Sequence, residues 1–206
     1  MTSSSTNTIK TIPLLFTPKK IRELTIRNRI IASPMCQYLS HEGGPNDWHM
    51  MHLGRLAIGG CGIVFGEETA VEPNGRKTHA CAGIYNNNHV AAYRPLTDMI
   101  KKHGATPAIQ LGHSGRKGSC HGAMEDWRPL DETDAANGLP PWQVMTPTAE
   151  ISPPRPIPHK EMDQADINQV INDFRTATKL SIDAGYEIAE IHGAHGYLIH
   201  QFLSST

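Results

Sequence analysis

The sequence predicts an α/β chain of the (β/α)8 barrel class, TIM-like, amounting here to about the first four βα units. Three observations predict it. Apolar runs of strand length alternate with segments of helical period, three of the four strands follow a helix closed by glycine, and every strand ends in polar, reactive side chains. Alternation of this kind gives parallel strands joined by helical crossovers. A doubly wound sheet would gather its chemistry at one switch point, whereas a barrel gathers it at the C-terminal ends of several strands. A full barrel takes about 250 residues. The 206 residues here, less a tail and one long excursion, suffice for four units.

The first strand is read at 29–35 (RIIASPM), closed by Pro34, which a central strand cannot contain. Residues 48–58 carry helical spacing through Met51, Leu56 and Ile58, with a stop at Gly59-Gly60. The continuous apolar run 62–67 (GIVFGE) reads as a buried parallel strand. A second helix spans 89–103, with Leu96, Met99 and Ile100 on one side and Gly104 as its stop. Pro95 inside it predicts either a start near Tyr93 or a kink. The third strand is 106–111 (TPAIQL). An excursion at 112–160 follows, holding 8 of the 15 prolines, and is too long for an ordinary βα loop. Segments of that length are functional lids or disordered. Asp163 then opens the strongest helix, with Ile167, Val170, Ile171, Phe174, Ala177, Leu180 and Ala184 in period. Gly185 ends it, and 186–191 (YEIAEI) is the fourth strand. Residues 1–12 are expected to be a disordered tail, and 13–206 a single domain.

Nineteen Lys and Arg against 20 Asp and Glu give a net charge of −1. That balance argues against an electrostatic nucleic-acid binder and gives no support to a membrane-surface one. The four cysteines (36, 61, 81 and 120) have no C-x-x-C spacing, so neither a zinc ribbon nor a disulfide framework is expected. The longest charge-free apolar stretch, 56–66, is too short for a membrane span and carries four glycines. The N-terminal residues lack the apolar core of a signal peptide. A cytoplasmic chain is expected.

The densest candidate site is His192-Gly-Ala-His195-Gly-Tyr197. Two imidazoles three residues apart can aim at one point and donate to a developing oxyanion. The alternatives are a metal site completed by His200, disfavoured because no carboxylate lies among the three, and imidazoles that only cap a turn. Tyr197 reads as a phenolic proton donor or as an amphipathic core residue. Cys36, after the first strand, can place a thiol at a cofactor or be a small buried hydrophobe. Gln110, inside an apolar strand, is expected to be a buried amide that must find partners, and it offers a donor and an acceptor to the imide edge of a heterocycle, or to backbone. The glycines at 60–66 precede their strand and have the wrong spacing for a dinucleotide fingerprint. The turn at 112–118 can hold an anion or be plain turn chemistry.

Four segments taken together resemble the Old Yellow Enzyme family of FMN-dependent oxidoreductases, in its bacterial-type ene-reductase branch. They are LFTPKKIRELTIRNRIIASPMCQY (15–38), GIVFGEETAVEPNGR (62–76), IQLGHSGRKG (109–118) and EIHGAHGYLIHQFLS (190–204). The resemblance covers the N-terminal half of such a protein. It implies FMN as cofactor, with NADPH or NADH as reductant, and a small α,β-unsaturated carbonyl as substrate. It implies that Ser33, Pro34, Met35 and Cys36 line the flavin. Glu68 contacts it through backbone, and Gln110 bonds its pyrimidine edge. His192 and His195 hold the substrate carbonyl, Tyr38 closes over the substrate, and Tyr197 donates the proton. No metal is implied. The family's fifth-strand arginine and its phosphate-gripping loops after strands seven and eight have no counterpart here, so the expected partner is a second copy or a complementing half. The alternatives are a catalytically incompetent half-barrel, acting only with a partner or as a truncated copy, and a flavin-dependent amine demethylase.

Overall fold

The structure, a computed structural model, describes residues 12–150 and 157–204. The expected tail thus lies outside the described residues except for Ile12, as does the 151–156 part of the excursion. The chain opens with an antiparallel hairpin, β1 (Lys19–Ile21) and β2 (Leu24–Ile26), turned at Arg22 in the left-handed region. Strand β3 (Ile31–Ala32) follows, then helix α1 (Asp47–Ile58), β4 (Ile63–Ala70), the short β5 (Ala82–Gly83), α2 (Asn87–Lys102) and β6 (Thr106–Gly112). The excursion contributes α3 (Glu132–Ala136), β7 (Val144–Thr146) and β8 (His159–Glu161). Helix α4 (Gln164–Asp183), β9 (Ile188–Ile191) and α5 (Leu198–Leu203) complete the described chain.

Strands β3, β4, β6 and β9 lie side by side in that order, all parallel, with β5 also paired to β4. Neighbours in sequence are neighbours in space, as in a barrel wall and unlike a doubly wound sheet. One face carries the helices. Val64, Ile109 and Leu111 point to Leu53 and Ala57 of α1, Leu96 and Ile100 of α2, and Ala177 and Leu180 of α4. The opposite face is floored by the hairpin, where Ile26 packs on Ile63, Phe65 and Ala108.

Local chemistry explains the element ends. Asn46 caps α1 in a reciprocal box with His49, and Asp163 caps α4 in one with Asp166. The second helix corrects one expectation. It starts at Asn87, capped by Asn86, and runs through Pro95 to Lys102. Pro95 sits on the exposed side, where water can serve the carbonyl that loses its donor. The first strand is also shorter than read, so Ser33, Pro34 and Met35 follow it. The second is longer: Glu67 and Glu68 belong to β4 itself. The excursion is neither featureless nor a bare lid. Its β7 and β8 pair in parallel, and Asp134, bonded by Arg128 and His121, ties α3 to the preceding loop.

Arg27 holds the hairpin to the helix layer. Its guanidinium donates to Ala57 O (2.7 Å), Cys61 O (2.8 and 3.0 Å) and His103 O (2.7 Å), at the C-terminal ends of α1 and α2. A cation there meets the negative ends of both helices. Arg27→Ala is expected to cost about 2 kcal/mol of stability, since three carbonyls lose a charged donor in a half-buried setting. Urea unfolding checks it, and a midpoint equal to wild type would refute it.

Candidate functional site

A register shift in β4 sets the site. Phe65 pairs with Ala108 and Glu68 with Gln110, so β4 spends one more residue than β6 over that interval. Such a bulge reverses which side chains face inward beyond it. Glu68 therefore joins Gln110 on the inner face, and Glu67 is freed to turn toward α1. There Glu67 Oε1 meets His49 Nε2 at 3.1 Å and its Oε2 accepts the Gln37 N–H at 2.8 Å. Both oxygens are taken, so Glu67 anchors the loop that carries Cys36 and Tyr38.

Glu68 is different. It is buried, and neither carboxyl oxygen has a hydrogen-bond partner among the described residues. Burial raises its pKa from 4.5 to about 7, Lys77 opposing and Glu67 adding to the rise. It lies against Gly112, where any Cβ would stand 2.2 Å from Oε1. The Glu68 side chain, as well as its backbone, thus lies on the inner face.

Lys77, in the loop after β4, forms the centre of the site. Its ammonium is buried and donates to Tyr38 Oη (2.6 Å), Tyr197 Oη (2.6 Å) and Cys36 Sγ (3.4 Å). It also lies 4.9 Å from the Tyr38 ring centroid and 5.0 Å from that of Tyr197. Burial lowers its pKa, but coupling to Cys36 and Tyr197 and the phenol bonds outweigh that, so it stays protonated. Burial pushes Tyr38, Tyr197 and the Cys36 thiol up, Lys77 counteracting in each case. Trp127, from the excursion, meets Tyr38 edge-on at 5.4 Å.

The histidines follow β9. His192 Nδ1 accepts the Ala194 N–H at 3.2 Å, so its proton is on Nε2. That N–H donates to His195 Nδ1 at 3.1 Å, which leaves the His195 proton on Nε2. Burial first, then the nearby His195 and Lys77, depress the His192 pKa, so the imidazole is neutral at pH 7. His195 adopts a φ of 57°, an uncommon conformation for a residue with a side chain. Its carbonyl is held by Lys117 Nζ at 2.6 Å. The turn at 112–118 is accordingly a support for this loop. Gly115 abuts Gln201, and His113 is committed to Glu72 at 2.7 Å.

The structure brings Cys36, Tyr38, Glu68, His192, His195 and Tyr197 together around Lys77. Gln110 shares their face but is not buried as expected; it is part-exposed and donates to Glu190 Oε1 at 2.6 Å, because the inner face is open there. Ser33 and Met35 border a small cleft with Phe65 and Glu67, and Met35 is exposed. Tyr197 is buried, and its hydroxyl accepts from Lys77. His200 turns away from the pair to accept the Gly196 N–H at 2.7 Å. Sequence reasoning missed Lys77 and Trp127. Both lie in irregular segments, and the resemblance stops at Arg76, one residue short of Lys77.

Residues 14–206 match the family model described as NADH:flavin oxidoreductase / NADH oxidase. The chain is 37% identical over 193 residues to an NADPH dehydrogenase of Geobacillus sp. (strain WCH70), covering 93% of this chain and 51% of that one. It is also 37% identical to the NADH:flavin oxidoreductase FG08077 of Gibberella zeae, covering 92% of this chain and 46% of that one. The chain thus spans about half the length of the curated relatives it matches. Among solved structures, morphinone reductase superposes with a TM-score of 0.77 at 23% identity, over 96% of this chain and 52% of that chain, a likeness of fold.

Proposed function

The chain belongs to the NADH:flavin oxidoreductase / NADH oxidase family, and from that membership we propose that it serves an FMN-dependent reduction of activated C=C bonds at the expense of NADPH or NADH. The observation that carries the reading is the convergence of a histidine pair and a phenol on one point. His192 bonds His195 at 3.1 Å, and both rings lie edge-on to Tyr197, at 4.8 and 6.2 Å between centroids. An imidazole N–H can donate to a carbonyl oxygen that gains charge, and a phenol beside it can deliver a proton to carbon. That set suits an α,β-unsaturated carbonyl.

The inner face fits a flavin. Glu68 presents two buried oxygens without partners, and Gln110 presents an amide whose acceptor oxygen is unused among the described residues. A flavin pyrimidine edge alternates donors and acceptors and answers both needs. Ser33, Pro34, Met35 and Cys36 would lie along it, with Tyr38 over the substrate. When bound, FMN supplies the hydride. The protein's part is to orient the carbonyl through the histidines, to hold the proton at Tyr197 Oη, and to exclude water with Tyr38 and Trp127.

The reading includes a partner that covers the open edge, either a second copy or a complementing half. Ile191 of β9 and Ile171 of α4 are both more than half exposed there, beside Phe202. A cytoplasmic setting is part of it. No helix among the described residues is long and apolar enough to cross a membrane, and all four cysteines are free thiols.

Titration of the purified chain with FMN, followed by quenching of flavin fluorescence, tests the reading. Saturable one-to-one quenching is expected. No quenching by protein that is folded by circular dichroism would overturn it.

A further inference from the structure

We propose that Lys77 is a positioning residue that turns the hydroxyl protons of Tyr38 and Tyr197 toward the substrate and holds the phenolate left at Tyr197 when its proton is delivered. The inference rests on the functional reading above and goes beyond it, assigning a role to a side chain that reading does not use.

An ammonium has three donors and no acceptor. All three are spent on neutral acceptors: Cys36 Sγ, Tyr38 Oη and Tyr197 Oη. A phenol oxygen that accepts from Lys77 must give its own proton elsewhere. Among the described residues neither phenol donates to a protein carbonyl or carboxylate. Both protons therefore face the space between Tyr38, Tyr197 and the histidine pair. One side chain thereby orients two donors that arise from distant parts of the chain, the loop after β3 and the loop after β9.

The position also suits charge. When Tyr197 passes its proton to a substrate carbon, its oxygen becomes anionic 2.6 Å from a fixed cation. Water later returns one proton, and Lys77 is unchanged over the cycle. Preorganised charge of this kind requires no rearrangement during the step. The charged or titratable groups around the pair are Cys36 and Tyr38 after β3, Glu67 and Glu68 on β4, Cys81, His192, and Lys117, whose ammonium lies 5.7 Å from the Tyr197 ring. Among the described residues, Lys77 alone touches both phenol oxygens.

The test has two arms on the full chain. In the first, tyrosine is labelled with 13C at Cζ, and Tyr38→Phe and Tyr197→Phe assign two of the five resonances. Lys77→Met should move those two and leave Tyr85, Tyr93 and Tyr186 in place. Lys77→Arg should return them toward wild type. This arm needs no flavin. In the second, flavin-loaded protein reduces a cyclic enone in water and in deuterium oxide. Lys77→Met should lower turnover by about tenfold to a hundredfold, a fraction of the usual gain from a placed acid. The solvent isotope effect should rise while KM stays within about twofold, and Lys77→Arg should restore part of the rate. Unmoved resonances in Lys77→Met would overturn the proposal, as would moved resonances with unchanged turnover and isotope effect. Wild-type protein that fails to bind FMN or reduce the enone would instead count against the functional reading, with the first arm still deciding the orientation claim.

Discussion

His192→Ala in flavin-loaded protein is expected to lower turnover of a cyclic enone by a factor of about 10²–10³, the usual cost of losing one donor aimed at a developing oxyanion, here the Nε2–H of His195, whose ring His192 holds in place. FMN binding should be unchanged, because no flavin contact is assigned to this ring. The Nε2–H of His192 that holds His195 Nδ1 at 3.1 Å disappears, so the second ring can turn and its own Nε2–H loses its aim. The Ala194 N–H is freed as well. His192→Asn, which keeps a short donor, should restore part of the rate. The ring that orients the donor, His192, is a neutral imidazole. Burial, followed by His195 and Lys77, depresses its pKa below the ordinary 6.5, so the acid limb of the pH profile should lie below that value. Initial rates against enone concentration, with FMN occupancy checked by fluorescence, settle it. Equal turnover in the variant would remove His192 from the site.

The parallel architecture was legible because its causes are local. Glycine and asparagine or aspartate mark the helix ends, and the apolar runs at 62–67 and 106–111 can only be buried strands. The histidine loop was legible for a similar reason, since three rings within six residues remain close whatever the fold does around them. What was hidden depends on long-range geometry. The bulge after Phe65 leaves no trace in composition, yet it decides that Glu68 and not Glu67 faces inward. Lys77 looks like any loop lysine. Only the meeting of its loop with those after β3 and β9 makes it the hub of two tyrosines and a cysteine. Gln110 was misjudged because strand periodicity reports which face a side chain takes, not whether that face is covered. Trp127 and the order of the excursion were hidden because turns, short strands and a five-residue helix carry almost no periodic signal.

Glu68 should make the stability of the flavin-free chain fall as pH rises through neutrality. The folded-state pKa is raised from 4.5 to about 7, burial being the main cause. Below 4.5 the carboxyl is neutral in both states and costs nothing extra. Between 4.5 and about 7 the unfolded chain releases the proton and the folded chain keeps it, so each unit of pH removes about 1.4 kcal/mol of stability. Above about 7 the carboxylate is buried without a donor to either oxygen among the described residues, and the accumulated penalty levels off near 3 kcal/mol. Glu68→Gln cannot ionise and should escape the penalty. Relative to wild type it should therefore be about 3 kcal/mol more stable at pH 8 than the same comparison gives at pH 4.5. Neighbouring groups do not reverse the sign: Lys77 moderates the rise and Glu67 reinforces it, while both remain in the variant. Urea denaturation of the two chains across that range provides the measurement. Parallel curves would show that Glu68 ionises freely in the folded chain, and its place as a buried, unpartnered group awaiting a flavin edge would then be lost. A gap that opens with pH, and narrows when FMN is added, would tie the orphaned carboxyl to the cofactor.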